Sequence, residues 1–354
     1  MKTIHCNEYN IYIGGNAQFT ELIQSFKPSS IFVLVDENTE KYCLHHMLEF
    51  LREDFHTIKI KSGEAEKNLD TCQYIWNSLL KGGADRHSIL INLGGGVIGD
   101  LGGFCAATYM RGITFIQVPT TLTSQVDASI GGKTGVDFLN RKNIIGAFAN
   151  PGAVFVFPEF LETLPIEHLR SGYAEMLKHA LIADVNQWEI LKQGIPTNQS
   201  DLETAIIHSI QLKKSIVDQD PFESGVRKIL NFGHTIGHAL ESYWMESKTP
   251  LLHGEAVAIG MVCEAFLSYR LGLLSEQEFF EIRHVILDIF GHFPKYLKPT
   301  ESLIRLLVSD KKNYKGEIRF ALLDHLGSAT YDIKVDSYDV LDCFEFYKDK
   351  ELVY

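Results

Sequence analysis

The sequence lacks the marks of a secreted, membrane-spanning or repetitive protein. Its six cysteines include no Cys-x-x-Cys pair and several lie inside apolar runs, so we expect reduced core residues of a cytoplasmic protein. No apolar run reaches membrane-spanning length, and residues 1–15 lack the charged and apolar regions of a signal peptide. No internal repeat or low-complexity segment is evident. We therefore expect neither secretion nor membrane insertion.

An excess of basic residues is also lacking. The 354 residues include 33 Lys and Arg against 45 Asp and Glu, which gives a net charge of −12. This balance argues against nucleic acid or an anionic membrane as the main partner. A small anionic substrate would need a local cluster of cations.

Hydrophobic residues make up 45% of the chain, enough for two domains that each bury a core. Residues 1–158 alternate β-branched runs with helical patterns, which predicts a Rossmann-like α/β domain with a mostly parallel sheet. Residues 159–354 are mostly of helical periodicity, which predicts an α-helical domain that ends with a β-hairpin near residues 315–335. The predicted strands lie near residues 11–15, 30–39, 56–62, 88–96 and 113–121.

Three of the predicted strands end in residues suited to a nucleotide, because ligands of such sheets bind at the carboxyl ends of the strands. Asp36 suits either a ribose diol or a helix N-cap. The segment Ser62–Lys67 offers a glutamate and a lysine, or a simple capping box. Gly94–Asp100 matches G-x-G-x-x-G, but the acid usually found about twenty residues later is replaced by Pro119-Thr120-Thr121. The ribose carboxylate is therefore expected upstream, at Asp36.

A polar, glycine-rich segment follows from residue 120 to residue 151. Gly132-Lys133-Thr134 resembles the end of a P-loop, but Asp127 stands where that motif needs its first glycine, so we reject an ATPase. The segment also contains Lys142 and Asn143. We predict a functional loop, with a solvated loop as the alternative.

The densest group of potential ligands lies between residues 227 and 255. His234 and His238 are four residues apart, so on a helix both imidazoles project from one face; such a pair can hold a metal or simply pack. His253 opens the next apolar helix, and Glu175 is an acid inside an apolar helical run. Two histidines and a carboxylate are the plan of a catalytic zinc site.

Several motifs occur together in a fixed order, and the set is more specific than any one of them. The motifs are SGEAEK, GGGVIGDLGG, ATYMRG, PTTL, QVDASIGGKTG, RKNIIGAF, AEMLKHA, RKILNFGHTIGHA and LHGEAVAIGM. With these motifs the sequence resembles the 3-dehydroquinate synthase family of the shikimate pathway, within the sugar phosphate cyclase group, from Asp36 to the Asp310-Lys311-Lys312 segment.

The resemblance implies which reaction the protein catalyses. The family converts 3-deoxy-D-arabino-heptulosonate 7-phosphate to 3-dehydroquinate and phosphate by transient oxidation with NAD, elimination, re-reduction, ring opening and an intramolecular aldol closure. It also implies a divalent metal, zinc or cobalt, and a homodimer in which Arg111 reaches the neighbouring site.

The resemblance further implies roles for individual residues. Glu175, His234 and His253 become the metal ligands, and His238 becomes an active-site residue beside the metal. The implied NAD contacts are Asp36, Ser62, Gly63, Glu64, Ala65, Glu66, Lys67, Gly95, Gly96, Val97, Ile98, Gly99, Asp100, Thr120, Thr121, Lys133, Lys142, Phe160, Leu161, Glu162 and Thr163. The implied catalytic and substrate-binding residues are Asp127, Lys133, Lys142, Asn143, Lys178, Lys213, Arg227, Asn231, His238 and, for the phosphate or carboxylate, also Arg111, Lys311 and Lys312.

The sequence departs from the family pattern at Pro221-Phe222 and in a longer loop between His238 and His253. A sister cyclase that makes 2-deoxy-scyllo-inosose or a valiolone would share the metal and NAD residues. A metal-dependent polyol dehydrogenase would release NADH and would not need the lysines that gather phosphate. A non-enzymatic NAD-binding scaffold would be expected to lack at least one ligand or pocket cation, and none is missing.

Overall fold

The structure is a computed structural model that describes residues 1–51, 54–139, 141–245, 247, 249–297, 303, 306–307 and 317–349, without the side chains of 49, 50 and 337. The chain divides into two units, Met1–Leu169 and Arg170–Tyr354. This division lies later than the boundary predicted near residue 158. Phe160, in a short 3-10 helix after the last sheet strand, packs into the core of the first unit, so this unit extends beyond residue 158.

A seven-stranded sheet is the centre of the first unit. The strands are β1 Lys2–His5, β2 Asn10–Ile13, β3 Ile31–Asp36, β4 His56–Ile60, β5 Ile89–Gly94, β6 Thr114–Pro119 and β9 Ala153–Val156. Their order in the sheet is β1-β2-β9-β6-β5-β3-β4, and all neighbours are parallel except β1 and β2.

The sheet is buried on both faces, as expected for parallel strands covered by helices. Within β3, Val33 and Val35 pack into one apolar cluster, and Phe32 and Leu34 pack into another. The helices of this unit are α1 Asn16–Ser25, α2 Glu37–Tyr42, α3 Leu44–Phe50, α4 Leu69–Lys81 and α5 Gly96–Thr108. The predicted α/β fold and its five predicted strands are confirmed.

The prediction of a loop over residues 120–151 was wrong in part. A π-helical turn at Ser124–Ala128 is followed by an antiparallel hairpin of β7 Lys133–Phe138 and β8 Arg141–Phe148. Gly135 and Gly146 lie opposite each other, and a β-carbon on Gly135 would come within 2.7 Å of the Ile145 carbonyl oxygen. Glycines at these positions permit the pairing but remove the alternating pattern by which a strand is recognised.

The second unit is mostly helical, as predicted, with the predicted hairpin formed by β10 Arg319–His325 and β11 Ser328–Lys334. Short 3-10 helices lie at Val226–Asn231 and Pro294–Tyr296. The α-helices are α6 Ile166–Ala183, which begins before the division, α7 Val185–Leu191, α8 Gln199–Gln219, α9 His234–Trp244, α10 His253–Arg270, α11 Glu276–Phe290 and α12 Ser337–Lys348.

Helices α9 and α10 touch through their backbones. A β-carbon on Gly260 would lie 1.9 Å from the carbonyl oxygen of Gly233, and one on Gly237 would lie 3.1 Å from that of Ala256. Small residues at four-residue spacing on both helices thus bring together the two segments that begin with His234 and His253. Among the described residues, no helix combines the length and apolar character needed to cross a membrane.

Candidate metal and nucleotide sites

Three potential metal ligands meet in the second unit. Glu175 on α6, His234 at the start of α9 and His253 at the start of α10 each offer one ligand atom, and these atoms lie within 4.8 Å of one another. Glu175 Oε1 is 2.9 Å from His253 Nε2 and 3.4 Å from His234 Nε2. The structure therefore brings together the three residues that the family resemblance implies, from three different helices.

His238, which the spacing argument paired with His234, lies beside this group. Its ring centroid is 4.9 Å from that of His234 and 6.1 Å from that of His253. Asn231, at the end of the preceding 3-10 helix, is half-buried and donates a hydrogen bond to Glu223.

The orientation of each ligand histidine is fixed through Nδ1. His234 Nδ1 donates to the carbonyl oxygen of Phe232 at 3.1 Å, and His253 Nδ1 donates to Glu241 Oε2 at 3.2 Å. Hydrogen bonds of this kind select the tautomer that leaves Nε2 for a metal.

The pKa shifts of Glu175 and His234 favour the protonation states that bind a metal cation. Burial alone would raise the pKa of Glu175, but the charge of Lys178 and the two histidines hold it well below its usual range. Burial and Lys178 lower the pKa of His234. Burial also disfavours charge on His253, but Glu241 and Glu175 outweigh it and raise its pKa to about 10. An ion bound there would displace this proton.

The donor set fits a divalent transition metal. One carboxylate oxygen and two imidazole nitrogens converge; Glu175 has no exposed surface, His234 is buried and His253 is half-buried. Zn²⁺ and Co²⁺ both accept this combination of ligands, and three protein ligands leave positions open for substrate.

Three cations are buried in the same unit. Lys178 and Arg227 are each 1% exposed and Lys213 is 6% exposed, so none of the three lies on a solvated helix face. Lys178 Nζ lies 2.5 Å from Glu175 Oε2. Arg227 donates to the carbonyl oxygen of Pro221, one of the two positions that depart from the family pattern.

The loop that presents Arg227 is organised by Asp220. Its Oδ2 accepts hydrogen bonds from the backbone N–H of Gly225 at 2.7 Å and of Arg227 at 3.1 Å. Its Oδ1 accepts from the backbone and the hydroxyl of Ser224. One carboxylate thus closes the turn between α8 and the 3-10 helix of Arg227 and Asn231.

In the first unit, the end of β5 leads directly into α5 across Gly95. This residue is the N-cap of α5 and provides no side-chain cap for the first amides of the helix. An open helix N-terminus at the carboxyl end of a parallel strand suits a pyrophosphate. The residues present therefore fit a dinucleotide.

The other predicted nucleotide segments meet around this turn. Lys67 Nζ lies 2.6 Å from Asp100 Oδ2, and Lys142 Nζ lies 3.1 Å from Glu64 Oε1. The segment Ser62–Lys67 does not cap the next helix, because Asn68 does so through the N–H of Thr71. Thr120 donates its N–H to the carbonyl oxygen of Gly94.

Asp36 caps a helix, which is one of the two roles that the sequence predicts for it. Its Oδ1 accepts hydrogen bonds from the N–H of Asn38 and of Thr39 at the start of α2. The carboxylate remains half-buried at the carboxyl end of β3, so a helix cap occupies the position expected for the ribose acid.

The remaining predicted residues of the first unit lie in a π-helical turn, in the β7–β8 hairpin and in the 3-10 helix that follows β9. Asp127 lies in the π-helical turn, Lys133 begins β7 and is exposed, and Asn143 lies in β8 with a φ of 52°. Phe160 and Leu161 are buried, whereas Glu162 and Thr163 are exposed. Lys311 and Lys312 lie outside the described residues.

Sequence reasoning missed Glu241, Glu264 and Asp220, although a signal existed for one of them. Glu264 is an acid inside the apolar run of α10, the same pattern that singled out Glu175. Nothing in the sequence indicates that Glu241 faces His253 or that Asp220 closes a turn.

Comparison with known proteins gives consistent matches. Residues 57–171 match the family model described as 3-dehydroquinate synthase N-terminal, and residues 172–313 match the one described as 3-dehydroquinate synthase C-terminal. The 3-dehydroquinate synthase of Parabacteroides distasonis is 38% identical over 341 residues, covering 94% of this chain and 95% of that protein. That of Bacillus cytotoxicus is 38% identical over 342 residues, covering 92% and 91%.

Solved structures share the fold. A 2-epi-5-epi-valiolone synthase from Streptomyces hygroscopicus, with NAD+ and Zn2+ bound, superposes with a TM-score of 0.86 at 25% identity over 98% of each chain. A 2-deoxy-scyllo-inosose synthase complexed with carbaglucose-6-phosphate, NAD+ and Co2+ gives 0.84 at 23% identity over 98% of this chain and 99% of that chain.

Proposed function

The chain belongs to the 3-dehydroquinate synthase family, and from this membership we propose that it converts 3-deoxy-D-arabino-heptulosonate 7-phosphate to 3-dehydroquinate and inorganic phosphate. The motif resemblance is thereby confirmed at the level of the family. In this assignment the protein is a carbon–oxygen lyase that depends on NAD and a divalent metal.

The observation that carries the proposal is the burial of Lys178, Lys213 and Arg227 in the unit that contains the carboxylate–histidine group. Lysine and arginine side chains bind a phosphate or a carboxylate by charge-assisted hydrogen bonds. In a protein with a net charge of −12, these three residues supply positive charge within the unit that contains the proposed metal ligands.

The residues available as ligands indicate which cofactors the protein would bind. Glu175, His234 and His253 would hold Zn²⁺ or Co²⁺, and the turns at Ser62–Lys67 and Gly95–Asp100 would hold NAD. When bound, the metal polarises substrate hydroxyls and NAD accepts and returns a hydride.

The chain's own residues bind and orient the substrate. Lys178, Lys213 and Arg227 would neutralise its anionic groups by charge-assisted hydrogen bonds. Asn231 and His238 would orient hydroxyls and bound water, and the imidazole of His238 would exchange a proton with them. The family resemblance also assigns Asp127, Lys133, Lys142 and Asn143, in the first unit, to substrate binding.

A homodimer belongs to the same proposal. Arg111 is exposed on a turn where Met110, Arg111 and Gly112 all have positive φ. A left-handed backbone at two successive non-glycine residues is costly and is often found at functional positions. We propose that this turn presents Arg111 to the site of a second copy, in a cytoplasmic enzyme whose six cysteines are free thiols.

The decisive test is release of inorganic phosphate from 3-deoxy-D-arabino-heptulosonate 7-phosphate by the purified protein with NAD+, with and without a chelator. We expect chelator-sensitive release without net accumulation of NADH, because the hydride returns to the product. Absorbance at the NADH band in the same sample checks the second point.

Two other outcomes would contradict the assignment. If the metal- and NAD-loaded protein released no phosphate from this substrate but cyclised another sugar phosphate, it would be a sister cyclase. If it produced NADH in proportion to an oxidised polyol, it would be a dehydrogenase.

A further inference from the structure

Glu264 is a carboxylate in α10 without exposed surface. Its Oε2 accepts a hydrogen bond from Gly233 N–H at 2.6 Å, and its Oε1 accepts one from Ile236 N–H at 3.1 Å. Both amides belong to the start of α9. Two backbone donors and the positive end of a helix are strong enough partners to retain a buried anion. Glu264 therefore caps the neighbouring helix rather than its own.

Helix α9 cannot provide this cap itself. Its N-cap is Gly233, which has a φ of 78° and no side chain to accept from the first amides. A β-carbon on Gly233 would lie 2.7 Å from Met261 Cγ and 3.1 Å from the carbonyl oxygen of Val257, so a serine or aspartate does not fit. The close approach of α10 excludes a local cap and at the same time supplies a remote one.

The capped turn carries a proposed metal ligand. His234 is the first residue of α9, and its Nδ1 donates to the carbonyl oxygen of Phe232, immediately before Gly233. The ligand and the acceptor that orients it thus lie on the backbone that Glu264 holds. A change in this turn would move His234 Nε2 relative to Glu175 Oε1, now 3.4 Å away.

We propose that Glu264 is a positioning residue for the metal site: it fixes the turn Phe232–Ile236 and thereby the direction of the His234 imidazole. This inference rests on the metal site of the proposed function. Outer residues that orient ligands typically change metal affinity by about ten- to a hundredfold when they are replaced.

The test is Co²⁺ binding by the purified full-length Glu264→Gln protein, well below its unfolding temperature. Glutamine keeps the shape but presents an amide NH₂ to one of the two backbone donors. We expect the dissociation constant for Co²⁺ to rise about ten- to a hundredfold. We also expect the visible absorption spectrum of bound Co²⁺ to change, because the ligand geometry changes.

Two control variants distinguish an effect on the metal site from a general effect on stability. Glu278 also accepts backbone N–H bonds, from Ser275 and Leu326, but it does so at α11. Glu278→Gln should leave Co²⁺ affinity and spectrum unchanged. Ile282→Ala removes a buried side chain of α11 and lowers thermal stability through a cavity. It should shift the unfolding temperature without altering the Co²⁺ spectrum.

A folded Glu264→Gln protein with the wild-type spectrum, and an affinity within about threefold of wild type, would overturn the inference. If this variant does not fold, Glu264→Asp takes its place, since it keeps the charge but withdraws it by one methylene. Weaker binding with an altered spectrum then supports the inference, and unchanged binding overturns it. Failure of the wild-type protein to bind Co²⁺ would instead contradict the metal site of the proposed function.

Discussion

Glu241 contacts one of the three proposed metal ligands directly. It is buried on α9, and its carboxylate holds His253 Nδ1 at 3.2 Å. Glu241 thus orients the His253 ring through Nδ1, as the Phe232 carbonyl oxygen orients the His234 ring. The two ligand histidines are oriented by different means, one by a side chain and the other by the backbone, so only one of the two contacts can be removed by substitution.

Replacing Glu241 with alanine should weaken binding of Zn²⁺ by about ten- to a hundredfold, because the His253 ring loses its orienting acceptor. Glutamine at this position keeps an oxygen acceptor and should lose less. Competition with a chromogenic chelator measures both affinities. Wild-type affinity in the alanine variant would show that His253 is held by packing alone.

Asp220 should make a pH-dependent contribution to stability. Burial alone would raise its pKa, but the N–H groups of Gly225, Ser224 and Arg227 outweigh this and lower the pKa below its ordinary value. A group whose folded pKa is depressed stabilises the protein above its unfolded pKa of about 4, and the contribution is lost as the pH falls through the folded value.

Asp220→Asn should therefore lower the free energy of unfolding by about 1–3 kcal/mol at neutral pH, since one amide group would face backbone donors. The difference from wild type should shrink below about pH 4. Urea unfolding across a pH series measures it. A difference that stays constant into acid would show that charge at Asp220 has no part in closing the turn.

At the scale of whole elements, the contact between α9 and α10 is the feature most sensitive to small changes. Gly260→Ala would place a methyl group where the Gly233 carbonyl oxygen lies. The helices would have to separate, so we expect a loss of about 1–3 kcal/mol or more in stability together with weaker metal retention. Thermal unfolding and the metal content of the purified protein measure the two effects.

Gly96→Ala is the matched control. It also lies in a helix, but a β-carbon there would be 3.7 Å from Ala128 Cβ, an ordinary contact. Its unfolding temperature should stay near that of wild type. Equal losses in the two variants would show that the cost does not come from the close contact of Gly260 with the Gly233 carbonyl.

The helices and strands that could be predicted from the sequence are those with a clear hydrophobic pattern. Strands such as β3 and β5 are continuous apolar runs bounded by turns, and helices such as α11 carry a clear period, so both could be predicted. The hairpin β7–β8 could not, because paired glycines and polar residues hide its alternation. The site could be predicted only through the ordered motifs, since spacing alone paired His234 with His238 rather than with His253.

At the scale of the whole molecule, the candidate nucleotide site and the candidate metal site lie in different units. The turns suited to a dinucleotide lie in Met1–Leu169, and the carboxylate–histidine group lies in Arg170–Tyr354. The two ligand groups that the proposed reaction needs are thus carried by different cores. The change of periodicity along the sequence predicts two domains with a boundary near residue 158, and the compact units divide after Leu169.

The proposed dimer has a direct test. If Arg111 serves the site of a second copy, Arg111→Ala and His238→Ala subunits should each be nearly inactive alone. A refolded equal mixture should regain about a quarter of wild-type activity, because half of the dimers are mixed and each has one site with both residues intact. Phosphate release measures this. No recovery in mixtures that sediment as dimers would contradict a shared site.

The backbone contact between α9 and α10 has a consequence for the choice of ion. His234 and His253 begin these two helices, so the distance between their backbones is set by carbonyl and glycine contacts that no rotamer change can relax. Helix α6, which carries Glu175, also approaches α10 closely, because a β-carbon on Gly254 would lie 2.1 Å from the carbonyl oxygen of Ser171. In the proposed metal site, an ion of larger ionic radius would therefore have to be accommodated by rotation of the ligand side chains and not by separation of the helices.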